Sequence, residues 1–426
     1  MALSSSFPLA ENVKQKIKEL KEVDILVGIP SYNNARTIPH VVKAVNAGLA
    51  KYFPKAKSVL VNSDGGSKDN TTDLVQNTSV DNLDMILVDH PVYLVNKIVT
   101  PYHGIPGKGS AFRTIFKIAE QLNAKACCVV DSDLRSITPE WMELLIDPVL
   151  DKGFDYVAPL YSRHKFDGTI TNSIVYPMTR ALYGKRIRQP IGGDFGFSGK
   201  LASHYLTKNV WESDVARYGI DIWMTTTAIG DGFKVCQSYL GAKIHDAKDP
   251  GADLTAMYTQ VVSSLFSFME AYANSWHQVN ESEEIPTFGF RFEVGLEPIN
   301  VNIERMINNY RLGIEAFNSF MKAVLPEEEW NQLRNLTKKD SAEFHLSDEL
   351  WVKIVYNFAL AFYHRVWPIE QLMKSMIPIY LGRTASFVIE NLNSSVEEVE
   401  KKIDNLCMEF ENQKPFLLEN WNKFNK

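Results

Sequence analysis

The stretch VVDSDLRS (129–136) places Asp131 and Asp133 two apart at the end of an apolar run, with Ser132 between them. An unpaired carboxylate is costly to bury, so such a pair needs water or a partner. A hard cation is one such partner, because Mg2+ and Mn2+ take oxygen ligands and Mg2+ leaves coordination positions for phosphate oxygens. The two side chains can face one cation together, or touch it both directly and through bound water. Alone, DSD reads more readily as an Asx turn ahead of TPEWMELL. Its neighbours along the chain raise the metal reading.

In GIPGKGSAFR (104–113), Gly107, Lys108 and Gly109 open an amphipathic stretch. Free N–H groups and the dipole at a helix start favour an anion, and Lys108 adds a point charge suited to phosphate. The segment is neither a Walker loop nor a GxGxxG fingerprint, and a Gly-rich loop opening an ordinary helix explains it equally well. In VNSDGGSKDNT, Asp64 is a carboxylate suited to a ribose hydroxyl or to the N–H edge of a pyrimidine, although Asp-Gly-Gly is also strong turn chemistry. Together these stretches suit a nucleoside diphosphate held on a metal.

The elements that must position these groups alternate. DILVGIP (24–30), SVLVNSD (58–64), MILVDH (85–90) and AKACCVVDSD (124–133) read as strands. Helical patterns fill 37–53 and 108–123, with a helix start at SKDNTTDLVQNT. Val, Ile and Leu runs with little alternation indicate parallel strands covered on both faces. In such a sheet ligands bind at the carboxyl edge. There lie Pro30, Ser31, Tyr32 and Asn33, then Asp64, the loop around Lys108, and Asp131–Asp133.

Beyond residue 250, apolar residues at helical spacing predict helices over 254–276, 299–325, 348–366 and 395–414, with NESEEIPTFGF and LTKKDSAEFHLSDE as connections. The expected organisation is an α/β domain over 1–253 and a helical region over 254–426. The many Trp, Phe and Tyr of that region read as core, and the region is expected to build a homodimer or homotetramer, or to cover an acceptor pocket.

Composition bounds the partners. The chain has 426 residues and a formal charge of -6, which argues against the basic face that nucleic acid requires. Four scattered cysteines, none in a CxxC spacing, suggest neither a disulfide scaffold nor structural zinc. The expected setting is a reducing cytoplasm, with no transmembrane segment, since no run reaches about 18 apolar residues.

IPSYNNARTI, VNSDGGSKDNT, GIPGKGSAF and VVDSDL resemble, in order and spacing, the nucleotide-sugar half of the GT-A glycosyltransferases. The resemblance covers residues 24 to about 250. Within that fold, YPMTRALYGKRIRQPIGGDFGFSGKLASHYL (176–206), YGIDIWMTTTAI (218–229) and GAKIHDAKDPGADL (241–254) are similar to segments of the retaining glucosyl-3-phosphoglycerate synthase and mannosylglycerate synthase group. The resemblance implies Asp133 and His245 as ligands of Mg2+ or Mn2+, with Asp131 and Ser132 on the nucleotide or a metal-bound water. It also implies Asp64 on the base or ribose, Lys108 on the phosphates and Asp221 on the donor sugar, with Pro30, Tyr32, Asn33 and Gly107 among the nucleotide-sugar-binding residues. Gly192, Gly193 and Arg188 fall on the acceptor side.

Asp194 stands where the phosphoglycerate enzymes have glutamate, and Arg180, Lys185, Arg186 and Arg188 are cations able to receive an anionic acceptor. The activity implied is transfer of a hexose from a UDP- or GDP-sugar to a small anion such as glycerate or 3-phosphoglycerate, with retained configuration. Three rivals stand beside it. One is an inverting GT-A enzyme acting on a lipid or saccharide, with Asp194 or Asp221 as general base. The others are a sugar nucleotidyltransferase and a sugar or nucleotide binder without turnover.

Overall fold

A computed structural model describes residues 9–78, 95–244, 254–291 and 299–423. The chain divides into two compact units. The first comprises 1–162, 191–246 and 285–294, and the second 163–190, 247–284 and 295–426.

The first unit is built on one eight-stranded sheet in the order β3-β2-β1-β4-β6-β5-β7-β8. The strands are β1 Ile25–Ser31, β2 Ser58–Asp64, β3 Asn96–Pro101, β4 Ala126–Val129, β5 Tyr156–Ser162, β6 Phe195–Ser198, β7 Val235–Ala242 and β8 Thr287–Phe288. Every pairing is parallel except those of β6, which runs antiparallel to both β4 and β5. This is the expected Rossmann-like, mostly parallel sheet. Register aligns its functional ends, since Ser31 pairs with Asp64 and Gly28 with Val129. The ends of β1, β2 and β4 therefore share one edge.

β1 and β2 are buried along their whole length, as apolar runs covered on both faces must be. Helices Ile38–Tyr52 and Glu140–Leu150 bury Val41, Val42, Val45, Met142, Leu145 and Ile146 in one core with Ile25, Val27, Leu60 and Cys128. The expected strand at 85–90 lies outside the described residues. The strand that pairs with β2 is Asn96–Pro101, whose Lys97 and mixed exposure hid it from an apolar-run criterion. NESEEIPTFGF, expected as a loop, contributes β8 to the sheet edge.

The second unit is helical. Its principal helices are Tyr176–Tyr183, Thr255–Ala271, Ile303–Ala316, Asp348–Tyr363, Ile369–Asn391 and Val396–Trp421. Ser347 caps the fourth through the Leu350 N–H, and Ser395 forms a capping box with Glu398 at the last. No helix among the described residues is long and apolar enough to cross a membrane.

Candidate active site

The turn after β1 and the turn after β2 are tied into one structure. Asp64 Oδ1 accepts from the hydroxyls of Ser31 (2.8 Å) and Ser67 (2.6 Å), and its Oδ2 accepts from the N–H groups of Gly66 (2.9 Å) and Ser67 (2.7 Å). Four donors occupy the carboxylate, which is almost fully buried. Asn33, at φ 54, receives the Lys68 N–H on Oδ1 and donates its own N–H to Ser67 Oγ. Asn34 Oδ1 accepts from the Tyr32 N–H and from Ser132 Oγ, both at 2.8 Å, which links the β1 turn to DSD. Thr37 Oγ1 donates to the Ser132 carbonyl. Pro30 lies within β1, while Tyr32 stands 61% exposed beside Gly65.

The helix Lys108–Gln121 starts where expected, and the Gly107 N–H at its cap donates to Tyr102 Oη at 3.1 Å. Lys108 Nζ lies 2.9 Å from Asp131 Oδ1, 3.3 Å from Asp221 Oδ1 and 3.3 Å from the Gly193 carbonyl. The structure thus brings together Lys108, Asp131, Asp221 and Gly193, which are widely separated in sequence.

A second lysine completes the cluster. Lys243, immediately after β7, sets its Nζ 2.7 Å from Asp131 Oδ2, 2.7 Å from Asp194 Oδ2 and 2.8 Å from the Gly192 carbonyl. Asp194 Oδ1 accepts the Asp131 N–H at 2.7 Å, and its Oδ2 also accepts the Tyr161 hydroxyl. Sequence reasoning missed both Lys243 and Tyr161. A lysine closing the otherwise apolar run SYLGA was the available signal for Lys243.

Electrostatics separates the three aspartates. Burial alone would raise the Asp131 pKa, but the Lys108 and Lys243 ammoniums outweigh it and hold the group well below the carboxylate range. Burial raises Asp194, which Lys243 only partly offsets, and burial likewise raises Asp221 against the pull of Lys108. Lys108 is burdened by its own burial, yet Asp131 and Asp221 lift it above the usual lysine value. Asp131 is therefore an obligate anion, fixed between two cations.

Asp133 differs from all three. Its half-buried carboxylate takes part in no hydrogen bond or ion pair among the described residues. A free oxygen pair of this kind at a strand end fits a hard cation. No group of three His, Cys, Asp or Glu side chains is poised for a metal among the described residues, and His245 lies outside them.

The four cations expected near an acceptor each have carboxylate partners in the helical unit. Arg180 pairs with Glu411 and Asp404, Lys185 with Glu283, Arg186 with Glu284, and Arg188 with both oxygens of Glu400 at 2.9 Å.

The carboxyl edge of this Rossmann-like sheet, where such sheets bind ligands, carries two lysines, three aspartates paired with them and a fourth carboxylate, Asp133, outside those pairs. No family model matches the chain. In sequence it is similar to the glucosyl-3-phosphoglycerate synthase of Petrotoga mobilis, 25% identical over 199 residues, which are 43% of this chain and 57% of that protein. The chain thus spans little more than half the length of the curated relative it matches. That relative belongs to the group that the sequence motifs resemble.

Solved structures of glucosyl-3-phosphoglycerate synthase from Mycobacterium tuberculosis are also similar. One, in complex with Mn2+, UDP and phosphoglyceric acid, is 21% identical with a TM-score of 0.42, over 59% of this chain and 81% of that one. Another, with Mg2+ and UDP, is 21% identical with a TM-score of 0.43, over 59% and 82%.

Proposed function

We propose that the protein is a metal-dependent retaining glycosyltransferase that moves a hexose from a nucleoside diphosphate sugar to a small anionic acceptor such as glycerate or 3-phosphoglycerate. The observation that carries this reading is the sheet-edge cluster in which Lys108 bridges Asp131 and Asp221 beside the free carboxylate of Asp133. The sequence match to a glucosyl-3-phosphoglycerate synthase supports it.

In this reading Asp133 and His245 hold a divalent cation, which when bound supplies Lewis-acid stabilisation to the departing diphosphate. Lys108 adds a preorganised positive charge at the same place, worth more in a site of low dielectric than in water. Asp221, held by Lys108, accepts hydrogen bonds from donor-sugar hydroxyls. Asp194 positions Asp131 through its backbone N–H and through Lys243. The turn built by Asp64 and Asn33 shapes the edge that receives the base and ribose, with Tyr32 exposed beside it and Ser132 fixed through Asn34. Arg188, Gly192 and Gly193 are assigned to the acceptor. A homo-oligomeric assembly belongs to the same proposal.

The test is a screen of UDP- and GDP-hexoses with Mn2+ or Mg2+ against glycerate and 3-phosphoglycerate, reading release of nucleoside diphosphate. Release that requires both an acceptor and Asp133 is expected. Release of pyrophosphate would instead make the chain a nucleotidyltransferase, and product of inverted configuration would remove the retaining assignment.

A further inference from the structure

Asp64, the carboxylate expected at the base or ribose, has no capacity left for a ligand. An ionised carboxylate offers about four acceptor sites, and Ser31, Gly66 and Ser67 fill them, Ser67 with both its hydroxyl and its N–H. The Ser132 hydroxyl gives its hydrogen to Asn34 Oδ1. A ribose bound at this edge needs another reader.

Tyr102, half-buried and directly after β3, is placed to be that reader. Its N–H donates to the Asp64 carbonyl at 3.3 Å, which ties it to the end of β2. Its Oη accepts the Gly107 N–H at 3.1 Å, one residue before Lys108. A Cβ on Gly65 would stand 3.2 Å from the same oxygen and 3.1 Å from the Tyr32 ring. The hydroxyl therefore lies between the turn beside Tyr32 and the helix start at Lys108. A phenol carries one hydrogen to donate besides the lone pairs with which it accepts, and no described residue takes the hydrogen of Tyr102. A nucleotide has its parts in the matching order. The exposed Tyr32 ring offers a face on which a base stacks, and the helix start with Lys108 suits the diphosphate. The ribose joins the two, and so it falls beside the Tyr102 hydroxyl.

We propose that Tyr102 reads the ribose: its hydroxyl, anchored by the Gly107 N–H, donates to a ribose hydroxyl oxygen and so selects ribonucleotides over their deoxy counterparts. The inference rests on the nucleotide-binding reading above and adds to it a residue and a selectivity. Loss of the hydroxyl removes a partner of the helix start as well as the donor to ribose, and only the second loss depends on the sugar of the ligand.

Calorimetry of the full chain with Mn2+ tests it, using UDP, GDP and the 2′-deoxy and 3′-deoxy form of each. The tighter ribonucleotide is expected to bind about tenfold more strongly than at least one of its deoxy forms, which leave the phenol hydrogen unpaired. Tyr102→Phe is expected to bring that ratio to within about twofold of unity. A purely structural role at Gly107 would weaken all the nucleotides together and leave the ratio standing. Where Tyr102→Phe fails to fold, Gly65→Ala decides, because its methyl group crowds the same hydroxyl and is expected to narrow the ratio. A wild-type ratio near unity, or a ratio that the folded variant keeps, would overturn the assignment and leave the nucleotide site in place. Absence of binding by either nucleotide would overturn it together with the reading on which it rests.

Discussion

Lys243 Nζ lies 2.7 Å from Asp194 Oδ2, with the two side chains 4% and 0% exposed, and the same ammonium reaches Asp131. Removing one partner of a buried ion pair leaves an uncompensated charge, at a cost of about 3–5 kcal/mol. Lys243→Met is therefore expected to lower the unfolding midpoint in urea strongly. Lys243→Met combined with Asp194→Asn is expected to recover part of the loss, since the second change removes the orphaned carboxylate. Full additivity in this double-mutant cycle would contradict the coupling.

The charge states of the cluster dictate how stability depends on pH. Asp131 has a folded pKa held below its unfolded value of about 3.9. Its contribution is therefore fully present above about pH 4 and is lost as pH falls through the lowered value. Asp194 and Asp221, raised by burial, have the opposite sign: each binds its proton more readily when folded, so ionising them costs stability as pH rises from about 4. Urea titrations between pH 3 and 7 should show an acid limb that Asp131→Asn flattens. An unchanged limb would place the acid-sensitive group elsewhere.

The sheet edge was legible because apolar runs ending in Pro-x-Tyr-Asn, Asp-Gly-Gly and Asp-Ser-Asp announce strand ends directly. Pairing across the sheet was not. Asp64 read as a ligand-facing carboxylate, yet Ser31, brought in by the β1–β2 register, and Ser67 of its own turn occupy it along with two N–H groups. Lys243 acquires meaning only once β7 is laid beside β5.

The helix Ile369–Asn391 went unseen because Pro378 and Gly382 break its pattern. The structure accommodates Pro378 against Gly313 of a neighbouring helix, where a Cβ would come within 2.1 Å of the proline ring. Tertiary packing, not local propensity, makes that helix.

Gly193 is held at φ +89, and a Cβ there would stand 2.4 Å from Asp131 Oδ2 and 2.8 Å from Lys243 Nζ. A side chain would therefore be strained in backbone and would push into the ion cluster. Gly193→Ala is expected to cost about 1–3 kcal/mol from the backbone conformation alone. It should also displace Lys243 from Asp131, which a loss of metal-dependent UDP binding in calorimetry would report. Wild-type binding in the variant would show that the cluster tolerates displacement.

Asp133→Ala should behave in the opposite way. Its carboxylate supports no described contact, so the unfolding midpoint should move by less than about 0.5 kcal/mol equivalent, the usual range for substitutions away from structural features. Metal-dependent nucleotide binding should nevertheless disappear. Thermal melts with and without Mn2+ and UDP separate the two effects, and a large stability loss without ligand would give Asp133 a structural role instead.

Arg188 offers a finer discrimination. Its guanidinium makes two parallel bonds to Glu400 and lies 5.1 Å from the centre of the Tyr176 ring, a planar fork that lysine cannot reproduce. Arg188→Lys and Glu400→Gln should both lower the unfolding midpoint, because each breaks the same fork. If Arg188 also receives the anionic acceptor, only Arg188→Lys should raise the KM for 3-phosphoglycerate while leaving the KM for the donor sugar unchanged. Equal effects of both variants on acceptor KM would make Arg188 a structural residue of the helical unit and move the acceptor assignment to other groups.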